Sequence, residues 1–255
     1  MKENHKFILT KYLSIISTKA KILDYGCGKG ALVEEGIRQG LDIYGVEAFS
    51  YGGGVKIKEY LQERGILGNK IKELEGDFIP FPDHHFDFIV SNQVFEHVKD
   101  LDKCLSEINR VLKDNGQLLC LFASKDVIRE GHCGILFAHR IPRSTFRFYW
   151  LVFFRSLGFG RLKKRRSVRE WAAFFNEWLV DSVSYRSMNE INKTFNQHFV
   201  SRIHIEDDYV TYRLEKKNNR WLAYLSKAHS IRFFTRAFCR KWGGLVFISY
   251  KNKKL

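Results

Sequence analysis

The chain is poor in the residues that break or cross-link a fold. It has three prolines in 255 residues, and with 45 % apolar content this argues against long disordered stretches. Its five cysteines, Cys27, Cys104, Cys120, Cys133 and Cys239, are odd in number and form no Cys-x-x-Cys pair. That pattern suits reduced thiols in a cytoplasmic compartment and offers no zinc site, so no metal is expected. Long hydrophobic runs are also missing. The longest, FYWLVFF at 148–154, lies between Arg147 and Arg155 and is far shorter than the about 20 residues needed to span a bilayer. The opening MKENHKFILTKYLSII is too polar for a signal peptide.

Acidic charge is scarce in the second half only. Residues 1–123 hold 16 Lys+Arg and 18 Asp+Glu, whereas residues 124–255 hold 27 and 10. These balances of −2 and +17 make up the overall +15. A surface so one-sided suits an anionic partner: a phosphorylated small molecule, a glycan or lipid-linked intermediate, an anionic membrane face or, less readily, nucleic acid.

The first half alternates strand and helix signals. Apolar strands are expected at 21–25, 42–46, 71–75, 86–91 and 117–123, with helices at 31–39, 55–64 and 101–112. Leu101, Leu105, Ile108, Val111 and Leu112 are spaced like one face of a helix laid on a sheet. This alternation predicts a Rossmann-like, doubly wound, mostly parallel sheet. Residues 124–187 interrupt it with aromatic and basic side chains. A helix at 188–198, a strand at 199–205, a basic helical segment at 221–240 and a last strand at 245–250 complete the chain. The expected organisation is a nucleotide-binding core at 1–123, a cap insertion at 124–187, and the rest of the sheet at 188–255, which carries a second insertion near 206–242.

The segment ILDYGCGKGA at 22–31 runs a strand into three glycines, Gly26, Gly28 and Gly30. Glycines here remove side chains where backbone approaches a ligand, and the following helix N-terminus offers free amides. Gly26-x-Gly28-x-x-Ala31 fits a dinucleotide fingerprint; Asp24-x-Gly26-x-Gly28-x-Gly30 fits S-adenosylmethionine equally. Glu47, where the second strand ends, can accept hydrogen bonds from both ribose hydroxyls of either ligand. Three other features separate the two ligands. Asp24 stands where dinucleotide-binding strands carry an apolar residue, and its carboxylate can hold an ammonium group. Asp77-Phe78 follows the third strand, offering a carboxylate and a ring to an adenine. IPFPDHHFDFIVSNQVFEHV at 79–98 ends the fourth strand at Ser91-Asn92, where an open α/β sheet forms its ligand crevice.

With these four motifs in order over residues 20–125, the sequence resembles the class I S-adenosylmethionine-dependent methyltransferases, specifically the group with ubiquinone- and menaquinone-pathway enzymes. The resemblance implies S-adenosyl-L-methionine as cofactor, S-adenosyl-L-homocysteine as product, and a seven-stranded sheet with an antiparallel last strand and helical cap insertions. It implies cofactor contacts by Asp24, Tyr25, Gly26, Cys27, Gly28, Gly30, Glu47, Ala48, Asp77, Phe78, Ser91, Asn92 and Gln93. It also implies that both insertions stand over the crevice.

Transfer to a hydroxyl needs a base, and histidine titrates nearest neutrality. REGHCGILFAHRIPR puts His132 and His139 just past the fifth strand, with Gly131 and Gly134 allowing a tight fold around His132. His97 is read as a packing residue. Arg140, Arg143, Phe146, Tyr149 and Trp150 are the candidate acceptor contacts, and most rings of the cap, Trp171 included, are expected to form its own small core. The runs RLKKRR at 161–166 and RFFTRAFCRKW at 232–242 suit either phosphate-and-stacking contact with nucleic acid or rest on an anionic membrane. Base-amino methylation is disfavoured because Ser91-Asn92-Gln93-Val94 does not match the required Asn/Asp-Pro-Pro-Tyr/Phe. The expected activity is therefore O-methylation of an anionic small molecule, sugar conjugate or lipid-linked intermediate in the cytoplasm, with peripheral contact at the inner membrane face. An RNA methyltransferase and a non-catalytic cofactor-binding relative are the competing readings.

Overall fold

A computed structural model describes residues 1–49, 54–163 and 165–251; Lys164 of the RLKKRR run lies outside them. The apolar runs form seven strands: β1 (Lys21–Tyr25), β2 (Asp42–Glu47), β3 (Ile71–Glu73), β4 (Phe86–Asn92), β5 (Leu112–Phe122), β6 (Ser201–His204) and β7 (Leu245–Tyr250). They make one sheet in the order β3-β2-β1-β4-β5-β7-β6. Strands β1 to β5 pair in parallel, and β7 is antiparallel to both β5 and β6. β1 and β4 are nearly continuous apolar runs because helices cover both their faces. The chain reverses its winding between these two strands, which places a ligand crevice beyond Tyr25 and Ser91, neighbours in the ladder.

Helices α1 (Glu3–Lys11), α2 (Ala31–Arg38), α3 (Gly54–Glu63), α4 (Leu101–Val111) and α7 (Met188–His198) accompany the sheet. Two of them carry sequence-legible starts. Asp100 caps α4 by accepting from the Lys103 amide, and Ser187 with Glu190 closes a capping box on α7. β5 begins earlier than 117: Leu112 already pairs with Phe86, and the ladder then jumps to Gln117 opposite Phe88. The Asn115-Gly116 turn is therefore a bulge within the strand.

The cap contributes α5 (Thr145–Ser156) and α6 (Val168–Asp181). Its core is its own, with Trp171, Phe175 and Leu151 fully buried together with Cys133 and Ile135. Arg147 is buried at its base and bonds the Asn176 side chain, the Asn176 carbonyl and the Ile141 carbonyl. Arg186 fastens the exit of the cap to the sheet by bonding the carbonyls of Phe95, Val98 and Lys99.

The second insertion is three helices, α8 (Glu206–Lys216), α9 (Arg220–Lys227) and α10 (His229–Trp242), where one segment over 221–240 was expected. Asn218 takes a left-handed turn after α8 and Ala228 is extended after α9, which breaks the run twice. Among the described residues no helix is long and apolar enough to cross a membrane.

Candidate active site

The loop after β1 is built by its glycines. All three have positive φ, a region that L side chains rarely adopt. A Cβ on Gly26 would stand 2.3 Å from a Val94 methyl, whereas one on Gly28 would meet nothing within 4 Å. Gly28 is thus the point where backbone faces open space. Its amide donates to Glu47 Oε2 at 2.6 Å, and the Ala48 amide donates to Glu47 Oε1 at 3.0 Å. Burial raises the Glu47 carboxyl above its usual value despite those two amides. Each of its oxygens keeps a lone pair for a hydroxyl donor.

Asp24 is nearly buried and has neither cation nor hydrogen-bond donor among the described residues. Burial first, and the nearby Glu47 charge second, push its carboxyl up to about 7. A ligand ammonium would supply the missing counter-charge. This unpartnered acid, the open face over Gly28 and the acceptor pair on Glu47 together fit S-adenosylmethionine.

Other expected cofactor residues are placed unequally. Asp77 and Phe78 are half exposed past β3, Asp77 bonded to Lys103 at 2.9 Å and the Arg110 guanidinium 4.7 Å from the Phe78 ring. Tyr25 turns its ring into the core, where its hydroxyl meets Cys104 Sγ at 3.2 Å. Cys27 is buried as well, so both have only main chain to offer. Ser91 Oγ is buried without a partner among the described residues. Gln93 sits at φ 59° with its amide on the Leu121 carbonyl. Asn92 accepts from Asn4 of α1 at 2.9 Å, and Tyr209 in turn donates to Asn4 at 2.7 Å. Sequence reasoning had given α1 no part in the site.

Beyond the end of β4 the cap brings a second group together. His132 Nδ1 lies 2.8 Å from Glu130 Oε1, and the Tyr185 hydroxyl donates to the same oxygen at 2.6 Å. Glu130 Oε2 accepts the amides of His132 and Cys133. Burial would raise the Glu130 carboxyl, but the His132 hydrogen bond and charge and the Tyr185 hydroxyl hold it at about 2. A carboxylate only accepts, so Nδ1 carries a proton, and Nε2 is the nitrogen whose lone pair is available whenever the ring is neutral. The His132 side chain remains about a quarter exposed, at 27 %. Its ring is 5.0 Å from His97 and 4.7 Å from Trp178. Glu96 joins the cluster: it is 1 % exposed, both carboxyl oxygens lack a partner among the described residues, and burial raises it to about 8.

His97 donates Nδ1 to the Ser182 carbonyl at 2.6 Å, which makes it a fastener between β4 and the cap. His139 donates Nε2 to the Lys125 carbonyl, and its Nδ1 is buried without a partner among the described residues. The expected acceptor contacts do not converge on the crevice. Arg140 bonds the carbonyls of Lys125, Asp126 and Val127, and Arg143 pairs with Glu177 at 3.0 Å. Phe146 and Tyr149 face solvent, and Trp150 donates to the Leu136 carbonyl. Glu130 and Tyr185 were missed because they lie 2 and 53 residues from His132 and only the folded cap joins them. Gly131 and Gly134 beside His132 were the one local signal.

Residues 1–201 match a family described as methyltransferase domain. The chain is 36 % identical over 99 residues to sterol 24-C-methyltransferase ERG6B of Gibberella zeae, covering 38 % of this chain and 26 % of that protein. It is 44 % identical over 66 residues to the ubiquinone/menaquinone biosynthesis C-methyltransferase UbiE of Shewanella sp. strain ANA-3, covering 26 % of each. The chain thus spans about a quarter of the length of these curated relatives. The solved phosphoethanolamine N-methyltransferase 2 of Haemonchus contortus, in complex with S-adenosyl-L-methionine, shares the fold at 16 % identity and a TM-score of 0.52, covering 99 % of this chain and 53 % of that one. Geranyl diphosphate C-methyltransferase of Streptomyces coelicolor A3(2) shares it at 14 % identity and a TM-score of 0.50, covering 98 % and 75 %. With that family matched across most of its length, the chain belongs to the methyltransferase-domain family.

Proposed function

We propose that the protein methylates a hydroxyl group and that His132 is the base that takes the hydroxyl proton. The observation that supports this is the Glu130–His132 pair at 2.8 Å, whose imidazole lies 5.0 Å from that of His97 in the segment after β4. S-adenosylmethionine, when bound, supplies an electrophilic methyl. Glu47, Gly28 and Asp24 hold its ribose and ammonium ends; the cap excludes water and orients the acceptor. Glu130 keeps Nδ1 protonated, so that Nε2 is the nitrogen that accepts the proton, and its charge stabilises the imidazolium that results.

An anionic acceptor would need its counter-charge from groups other than Arg140 and Arg143, which already hold partners. A lipid-linked hydroxyl needs no such pair and is the acceptor class favoured here. The names of the sterol and quinone-pathway relatives favour a second reading, transfer to carbon. Methyl-labelled S-adenosylmethionine, incubated with the protein and fractionated lipid and polar extracts, separates the two. Label released as methyl iodide by hydriodic acid supports O-methylation, and label that resists it overturns that reading in favour of carbon.

A further inference from the structure

Helix α10 is built with its polarity reversed. Its inward face carries Arg232 and Arg236, both on Asp207 at 2.6 and 2.7 Å, and Arg240 on Glu206 at 2.8 Å. Its outward face carries Phe233, Phe234 and Phe238, exposed by 74, 68 and 60 %, and Trp242. The positions 234, 238 and 242, with 233 alongside, follow the helical repeat, so they form one apolar stripe in water. α9 packs beside α10 and exposes Trp221 and Tyr224 in the same way. So much aromatic surface facing outward marks a docking face.

The charge around the stripe identifies the occupant. Residues 216–242 contain eight Lys+Arg and no Asp or Glu. Lys216, Lys217, Arg220 and Lys241 form no ion pair among the described residues. We infer that the α9–α10 face seats the protein on an anionic lipid surface, its aromatic rings in the headgroup boundary and its free cations on lipid phosphates. A second copy of the chain is disfavoured, since docking stripe on stripe would bring two faces of net positive charge together. RNA is disfavoured because three arginines are turned inward onto carboxylates, and the outward stripe is phenylalanine rather than cation. The seat also has a useful position. The Lys241 carbonyl accepts from the Ile128 amide at 2.7 Å, so the Trp242 end of the stripe adjoins the segment that leads to His132.

The inference stands apart from the choice of acceptor and is tested without methyl transfer. The intact chain is sedimented with phosphatidylcholine vesicles, with and without about one third phosphatidylglycerol, at physiological salt. The expected result is binding to the anionic vesicles only. The triple variant Phe233→Ser/Phe234→Ser/Phe238→Ser should lose at least tenfold of it while keeping its circular dichroism and S-adenosylhomocysteine binding. Lys216→Glu/Lys217→Glu/Arg220→Glu, which leaves the stripe intact, should lose the preference for phosphatidylglycerol. Absence of binding by the unaltered chain overturns the inference. So does a dimer that the serine variant disperses, or single-stranded RNA that displaces the protein from vesicles.

Discussion

Glu130 Oε1 and His132 Nδ1 stand 2.8 Å apart, with Glu130 wholly buried and the His132 side chain about a quarter exposed, at 27 %. The pair couples a fixed charge to an accessible imidazole. His132→Ala is expected to lower kcat by about 10²- to 10⁴-fold, with Kd for S-adenosylhomocysteine within about twofold of the parent. Glu130→Gln keeps the size but loses the charge and should fall in the same direction, whereas Tyr185→Phe, which removes one donor to Glu130, should lose less. Measured turnover and calorimetric cofactor binding on the three variants check this ordering. Equal turnover in His132→Ala would remove the base.

Glu47 receives two backbone amides that shape the loop around Gly28, so its role in binding and in loop order are coupled. Glu47→Ala is expected to weaken S-adenosylhomocysteine binding by about 10- to 100-fold, the cost of losing one or two charged hydrogen bonds. Gly28→Ala meets no atom but is strained at φ 55°, and should weaken binding less. Asp24 adds a pH signature. Its carboxyl stands at about 7, above the usual value, so a ligand ammonium binds its ionised form and affinity should rise with pH from 6 to 8. Calorimetry of both variants and of the parent across that range reads each effect.

The crevice was legible in the sequence because its parts are local. Asp24, Gly26, Gly28 and Glu47 sit at strand ends whose apolar runs announce themselves, and parallel pairing then aligns those ends. The acceptor side was legible only in part. His132 could be picked out from its glycines, but its tie to Tyr185 spans 53 residues and depends on how the cap closes. Arg140 and Arg143 looked free because a sequence does not show that a guanidinium is already committed to the carbonyls of 125–127 or to Glu177. α10 makes the same point from packing. Periodicity shows that Phe234, Phe238 and Trp242 share a face, but which face turns inward is decided by Glu206 and Asp207 on another helix.

Asp207 should therefore hold α10 in place. Its side chain is buried between Arg232 and Arg236, which are themselves partly exposed. Asp207→Ala leaves two arginines without a partner and is expected to cost about 2 kcal/mol, less than breaking a fully buried pair because water reaches the guanidinium groups. Asp207→Glu should recover part of the loss. Urea unfolding gives the stability, and limited proteolysis gives the location, with new cleavage within 229–242. If Asp207→Ala leaves both unchanged, the arginines are not what orients the helix.

Glu96 predicts how stability responds to pH. Its carboxyl is raised to about 8, first by burial and then by the charge of Glu130. A group whose folded value lies above its unfolded value stabilises fully below the unfolded one, about 4.5, and loses that contribution as pH rises through the folded one. The chain should therefore lose stability between pH 5 and 8 by an amount on the order of 4 kcal/mol from this group alone. Glu96→Gln cannot ionise, so it should lack this part of the loss and exceed the parent in stability above pH 8, while the loss from Asp24, whose carboxyl stands at about 7, remains in both proteins. Chemical denaturation of both proteins at pH 5, 7 and 9 reads the difference directly. Parallel curves would mean that a cation or water relieves the buried carboxylate. Because Glu96 stands beside Glu130 and Tyr185, the same ionisation would place a second negative charge next to the base. Turnover should then fall above pH 8 in the parent and persist in Glu96→Gln.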